Sequence, residues 1–134
     1  MDFELVKGTK DVYRNIRDFG TYKIEVMKFY QGYEDRHRNG PWRWCAYIHF
    51  KPEHFFFSKL SQVKNSDDGL TNIFPFHGGC TFFKIIESGD IKIGCDFQHY
   101  GDEDCGLSDY EDMPKVVYGV QALEKFMENF VLIQ

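Results

Sequence analysis

At 134 residues, 43% of them hydrophobic and 18% aromatic, the chain is long enough to bury one core without disulfide or metal staples and too apolar to stay disordered. Its formal net charge of -5 is unevenly spread, with a balance of +4 over residues 1–64 and -9 over residues 65–134. Such acidity argues against general nucleic-acid binding, which needs clustered Lys and Arg to neutralise phosphates, and Arg36, His37, Arg38 and Arg43 are the single basic exception.

Met1, Asp2, Phe3 and Glu4 lack the basic start and apolar run of a signal peptide, and no segment approaches the roughly 20 apolar residues of a membrane helix, so a cytoplasmic protein is expected. No repeat or linker divides the chain, which reads as one domain over 1–134. Residues 21–50 read as a β-hairpin whose long polar tip, Tyr33 to Pro41, ends in Asn39-Gly40-Pro41. In its first arm Tyr22, Ile24 and Val26 alternate with Lys23 and Glu25, and a change of phase at Met27 and Phe29 predicts a bulge or bend. The second arm sets Trp42, Trp44, Ala46, Ile48 and Phe50 on one face and Arg43, Cys45, Tyr47 and His49 on the other, and Pro52 ends it. Phe56, Leu60 and Val63 then recur at helical spacing, which predicts a short helix over 53–64.

A second hairpin joins 80–87 to 91–97 through Ser88-Gly89-Asp90. An acidic loop follows from Asp102 to Asp112. The last element is a helix over 113–131, with Asp112 as its cap, Pro114 in the first turn and Val116, Val120, Leu123, Met127 and Phe130 in one stripe. The expected fold is therefore α+β: an antiparallel sheet of hairpins with the C-terminal helix packed on one face and a short helix in a connection. Cys45, Cys80, Cys95 and Cys105 form no C-x-x-C pair and read as reduced thiols, three of them in or beside strand patterns.

Chemistry-bearing residues gather around the second hairpin. His77-Gly78-Gly79 leads into its first strand, and its second strand runs out through Gly94, Asp96, His99, Gly101 and Asp102. A hairpin returns the chain to where it started, so His77 should lie near Asp96 to Asp102, provided the chain turns after Phe97. Two imidazoles, two carboxylates and flexible glycines could transfer protons, hold a metal, or cradle an anion on backbone N–H groups. A zinc set of His77, Cys80, Cys95 and His99 has finger-like spacing, but both cysteines alternate with Phe82 and Phe97, where buried apolar side chains are expected. Cys105 sits among acidic residues that disfavour a thiolate nucleophile, and His49 and His54 could join a pocket.

The segments Trp44-Cys45-Ala46-Tyr47-Ile48, Pro52 with His54, His77-Gly78-Gly79-Cys80-Thr81-Phe82, and Gly94-Cys95-Asp96-Phe97-Gln98-His99-Tyr100-Gly101-Asp102 resemble a group of small phage and prophage proteins. There the pattern reads approximately W-C-G-Y-V, P-x-x-H, H-G-G-L-T-[FY] and G-F-D-C-A-H-A-G-D. Over residues 44–102 the resemblance implies His54, His77, Gly78, Gly79, Asp96, His99, Gly101 and Asp102 as ligand-binding residues. The chain departs from it at Ala46, Cys80, Cys95 and Phe97 and in the shorter spacing of Pro52 to His54, which removes Cys80 and Cys95 from the pattern and keeps the His/Asp set around His77 to Asp102.

Three functions are compatible with these residues. The first is a pocket for a small polar, nucleotide-like ligand, used to sequester an immune signal, with a homo-oligomer suiting a pocket shared between subunits. The second is a hydrolase, with Asp96, His99 and Asp102 on a divalent metal or His77 and His99 as acid and base, although no complete H-E-x-x-H or G-x-S-x-G signature occurs. The third is a protein-binding inhibitor that uses its acidic loop. Neither a cofactor nor a catalytic residue is singled out by the sequence.

Overall fold

Alternating apolar residues from Tyr22 and from Trp42 build the two central strands of an antiparallel sheet in the computed structural model, which describes residues 6–7, 12–30, 42–99, 102 and 113–130. The strands are β1 (Val6–Lys7), β2 (Val12–Asp18), β3 (Tyr22–Tyr30), β4 (Trp42–Phe50), β5 (Phe82–Ile85) and β6 (Ile91–Asp96), in the spatial order β1-β2-β3-β4-β6-β5. Every neighbouring pair is antiparallel. The chain leaves β4, crosses through a one-turn helix α1 (Phe57–Leu60) and a 3-10 turn (Thr71–Ile73) to the outer strand β5, and returns on β6 between β5 and β4. Helix α2 (Pro114–Glu128) supplies Val116, Val120, Leu123 and Met127 to the core. They meet the sheet face that carries Ile24, Val26, Trp44, Ile48, Ile93 and Phe97, all almost fully removed from water. The expected α+β architecture is thus the observed one, and no described helix is long and apolar enough to cross a membrane.

Three expectations need correction. No bulge interrupts the first hairpin, because β3 and β4 pair without a break from Tyr22 opposite Phe50 to Tyr30 opposite Trp42. Met27 and Phe29 instead lie on the second face of the sheet, opposite Cys45 and Arg43, and that face is itself half-buried. The helix over 53–64 shrinks to one turn: His54 Nδ1 accepts the Phe56 N–H, and the bonds from the His54 N–H to the Lys51 carbonyl and from the Phe57 N–H to the His54 carbonyl close four-residue turns. Phe56 and Leu60 are nevertheless buried as their spacing predicts. The helix cap is not Asp112 but buried Met113, whose carbonyl accepts the Val117 N–H. β1 and β2 add to the four strands of the two expected hairpins, with β2 pairing along β3 from Val12 to Asp18. The hairpin tip, Cys105, Asp112 itself and the acidic loop after Asp102 lie outside the described residues.

The face of the sheet away from α2 holds a charge cluster that alternation alone does not announce. Glu25 is 2% exposed and accepts from His49 Nε2 at 2.7 Å, Lys92 Nζ at 3.1 Å and Arg14 Nε at 3.1 Å. Burial acts to raise its pKa, but His49 and Lys92 outweigh that and push it down to about 2. Lys92 also lies 4.1 Å from the Tyr47 ring centroid, within cation–π range. A buried carboxylate is tolerable only with such partners.

Candidate functional site

The return of the second hairpin does bring its two ends together. β6 finishes at Asp96, the Phe97 N–H bonds the Trp44 carbonyl at 3.1 Å, and the Gln98 N–H bonds Asp96 Oδ1 at 3.1 Å. The chain therefore bends where the sequence required a turn. Beyond the bend, the Asp102 N–H bonds the His99 carbonyl and Asp102 Oδ2 accepts the His99 N–H at 3.1 Å, a reciprocal pair that fixes the carboxylate against the His99 backbone.

Asp102 is the centre of the resulting cluster. It is 3% exposed, and its Oδ2 accepts from His77 Nε2 at 2.8 Å and His99 Nδ1 at 3.2 Å, while Lys115 Nζ stands 3.3 Å from Oδ1. An ionised carboxylate only accepts, so both imidazoles present an N–H to it, which leaves His77 Nδ1 and His99 Nε2 as the other ring atoms. Burial acts to raise the Asp102 pKa, but the His77 hydrogen bond, the His99 backbone N–H and Lys115 hold it below the ordinary carboxylate value. Asp96, 40% exposed at its side chain, reaches the cluster from behind, with Oδ1 3.7 Å from His99 Nε2.

Core residues set the position of each ring. His77 stacks on Phe97, with centroids 4.7 Å apart and planes at 14°. Phe97 is fully buried, and its ring lies so close to α2 that a Cβ on Gly119 would stand 3.0 Å from it. The His99 ring packs edge-on to His77 at 5.4 Å and lies directly over Gly78, whose φ of +71° and missing side chain allow the approach. Lys115 reaches the cluster from the first turn of α2, a place where a cation opposes the helix dipole and a carboxylate partner offsets that cost.

Of the expected site residues, His77, Gly78, Asp96, His99 and Asp102 come together. Gly79 has a φ of +91° but serves the turn: its N–H bonds the Phe76 carbonyl, and the next N–H, of Cys80, bonds Asn72 Oδ1. Those two amides are satisfied internally and do not form the expected anion cradle. His54 belongs elsewhere. It is 3% exposed among Tyr22, Phe50 and Phe56, at the Phe50 end of β4, whereas the cluster sits by Trp44 and Phe97 at the other end. Burial lowers its pKa and keeps it neutral. Gly101 lies outside the described residues.

The described cysteines, Cys45, Cys80 and Cys95, are not among the cluster's side chains. Cys80 and Cys95 are buried free thiols, burial pushes Cys95 up to about 12, and Cys80 Sγ lies against the Phe82 carbonyl at 3.3 Å. His49 sits with Glu25 on the opposite face of the sheet. Sequence reasoning missed Lys115, and the signal for it is a lone cation in the first turn of a helix, where acidic residues are favoured. Compared with protein-family models, curated proteins and solved structures, this chain finds no match in any of the three.

Proposed function

We propose that the His77, His99 and Asp102 cluster binds a small polar, nucleotide-like ligand, and that the protein acts by holding it, as a phage-type accessory protein would in sequestering an immune messenger. The observation that carries this reading is the state of Asp102. A carboxylate 3% exposed braces two imidazoles through one oxygen and is paired with a lysine at the other. The side chains of His77 and His99 keep 28% and 37% of their surface in water, so a ligand can reach rings whose orientation is already fixed. Imidazole N–H groups and a lysine favour anionic oxygens, of which phosphates are the commonest biological source.

Hydrolysis is the second reading, favoured by the same carboxylate–imidazole contacts. An Asp-braced imidazole is oriented to act as a general base through its other nitrogen. One experiment separates the two. The purified full chain is incubated with a panel of linear and cyclic nucleotides, freed of excess, heated, and the released compounds are analysed by mass spectrometry. Release of an unaltered nucleotide supports sequestration, and release of a cleaved one supports hydrolysis. Retention of none refutes both. His77→Ala, Asp96→Ala and His99→Ala should each abolish retention while shifting the thermal midpoint little, since all three side chains are partly exposed and outside the main apolar stripe.

A further inference from the structure

We infer that His77 Nε2, His99 Nδ1 and Asp102 Oδ2 are the three protein ligands of one divalent transition-metal ion of the zinc type. The inference rests on the reading of this cluster as a binding site and names what it binds first. The three ligand atoms lie within 4.8 Å of one another, and the two nitrogens stand 2.8 and 3.2 Å from the shared carboxylate oxygen. A tetrahedral ion with bonds of about 2.0–2.1 Å sets neighbouring ligand atoms roughly 3.3 Å apart. Seating it would need the pair that lies up to 4.8 Å apart to close by about 1.5 Å at most, shared between two side chains.

Three N–H donors, from His77, His99 and the His99 backbone, converge on the single oxygen Oδ2. A carboxylate oxygen offers about two lone-pair sites, so hydrogen bonding alone is a crowded way to satisfy that convergence. A cation would replace two of the donors.

The surroundings supply what metal-bound side chains need behind them. Asp96 Oδ1 lies 3.7 Å from His99 Nε2, the ring atom left over if Nδ1 binds the ion, as in carboxylate–histidine–metal triads. Lys115 stands on Asp102 Oδ1, the oxygen left over if Oδ2 binds it. Phe97 and Gly78 fix the planes of the two rings. Two imidazoles with one carboxylate select a zinc-type ion over calcium or magnesium, which prefer all-oxygen shells. Three protein ligands leave a coordination position for water or for an oxygen of an anionic ligand.

Cobalt(II) tests the inference on the full chain after EDTA treatment and desalting. One equivalent of Co2+ should bind with visible d–d absorption and be displaced by Zn2+. Asp102→Asn, His77→Ala and His99→Ala should each weaken Co2+ binding by more than about 100-fold, beyond the loss of an outer partner, whereas Asp96→Asn should weaken it by about 10- to 100-fold. Circular dichroism of the metal-free variants verifies that they are folded, and a conservative His99→Gln variant replaces any that is not. Absence of Co2+ and Zn2+ binding overturns the assignment, as does binding that survives loss of all three ligands. Nucleotide retention measured in EDTA on the same preparations separates the two readings. Metal binding without retention refutes the nucleotide reading alone, and retention without metal binding refutes the metal assignment alone.

Discussion

Replacing Glu25 with Gln keeps the shape of a side chain that is 2% exposed and removes the charge on which His49, Lys92 and Arg14 converge. Its carboxyl is pushed from 4.5 to about 2, and at about 1.4 kcal/mol per pH unit that shift corresponds to roughly 3 kcal/mol of stability near neutrality. The sign follows from the direction. With the folded pKa below the unfolded one, the folded state binds fewer protons, so the contribution is complete above about pH 4.5 and is lost as pH falls toward about 2. Glu25→Gln should therefore cost roughly 3 kcal/mol at neutral pH and flatten the stability profile across that acid window. Urea unfolding followed by tryptophan fluorescence reports it, because Trp44 is fully buried when the chain is folded. Asp18 and Asp102 also have lowered pKa values and contribute acid sensitivity of their own, so the informative quantity is the difference between wild type and variant. Parallel profiles for the two proteins between neutral pH and about pH 2 would refute the assignment of this stability to Glu25.

Leu123→Ala removes a core side chain of α2 that is 1% exposed and should cost about 2–5 kcal/mol in the same unfolding assay, while molecules that remain folded bind ligand and metal as before. Gly78→Ala should cost about 1–2 kcal/mol for a side chain in the left-handed region. Because the added Cβ would stand 2.6 Å from His99 Cε1, that variant should also weaken Co2+ binding by displacing the ring, and unchanged binding would show that His99 needs no fixed plane.

The sequence made the sheet legible where one strand face is apolar and the other polar, as in β4, and where a short glycine turn joins two β-rich runs, as at Ser88-Gly89-Asp90. It was silent on β2, whose segment Val12 to Asp18 mixes apolar and charged residues and is only half-buried beside the two-residue edge strand β1. The inferred bulge at Met27 had a specific cause. A phase rule assumes one wet face, but here the second face buries Glu25 under Arg14, His49 and Lys92 and half-buries Met27 and Phe29, so apolar residues occur on both sides. For the site, hairpin return was enough to bring His77 to His99 and Asp102. His54 could not be separated from them in sequence, because its isolation depends on which end of β4 the crossover packs against. Lys115 was hidden for a related reason, since only the packing of α2 on the sheet carries its first turn to Asp102.

Phe97 ties these observations together. Its backbone N–H continues the β4 ladder through Trp44, and its buried ring lies between Gly119 of α2 and the imidazole of His77. A cluster resting on a core ring gains its geometry from packing that forms anyway. The imidazole planes then need no hydrogen bonds beyond those to Asp102 for their orientation. The same arrangement predicts which perturbations travel. A change at Leu123 acts on how often the whole unit is folded, whereas a larger side chain at Gly119 would push on Phe97 and through it on His77, moving the site within a molecule that stays folded.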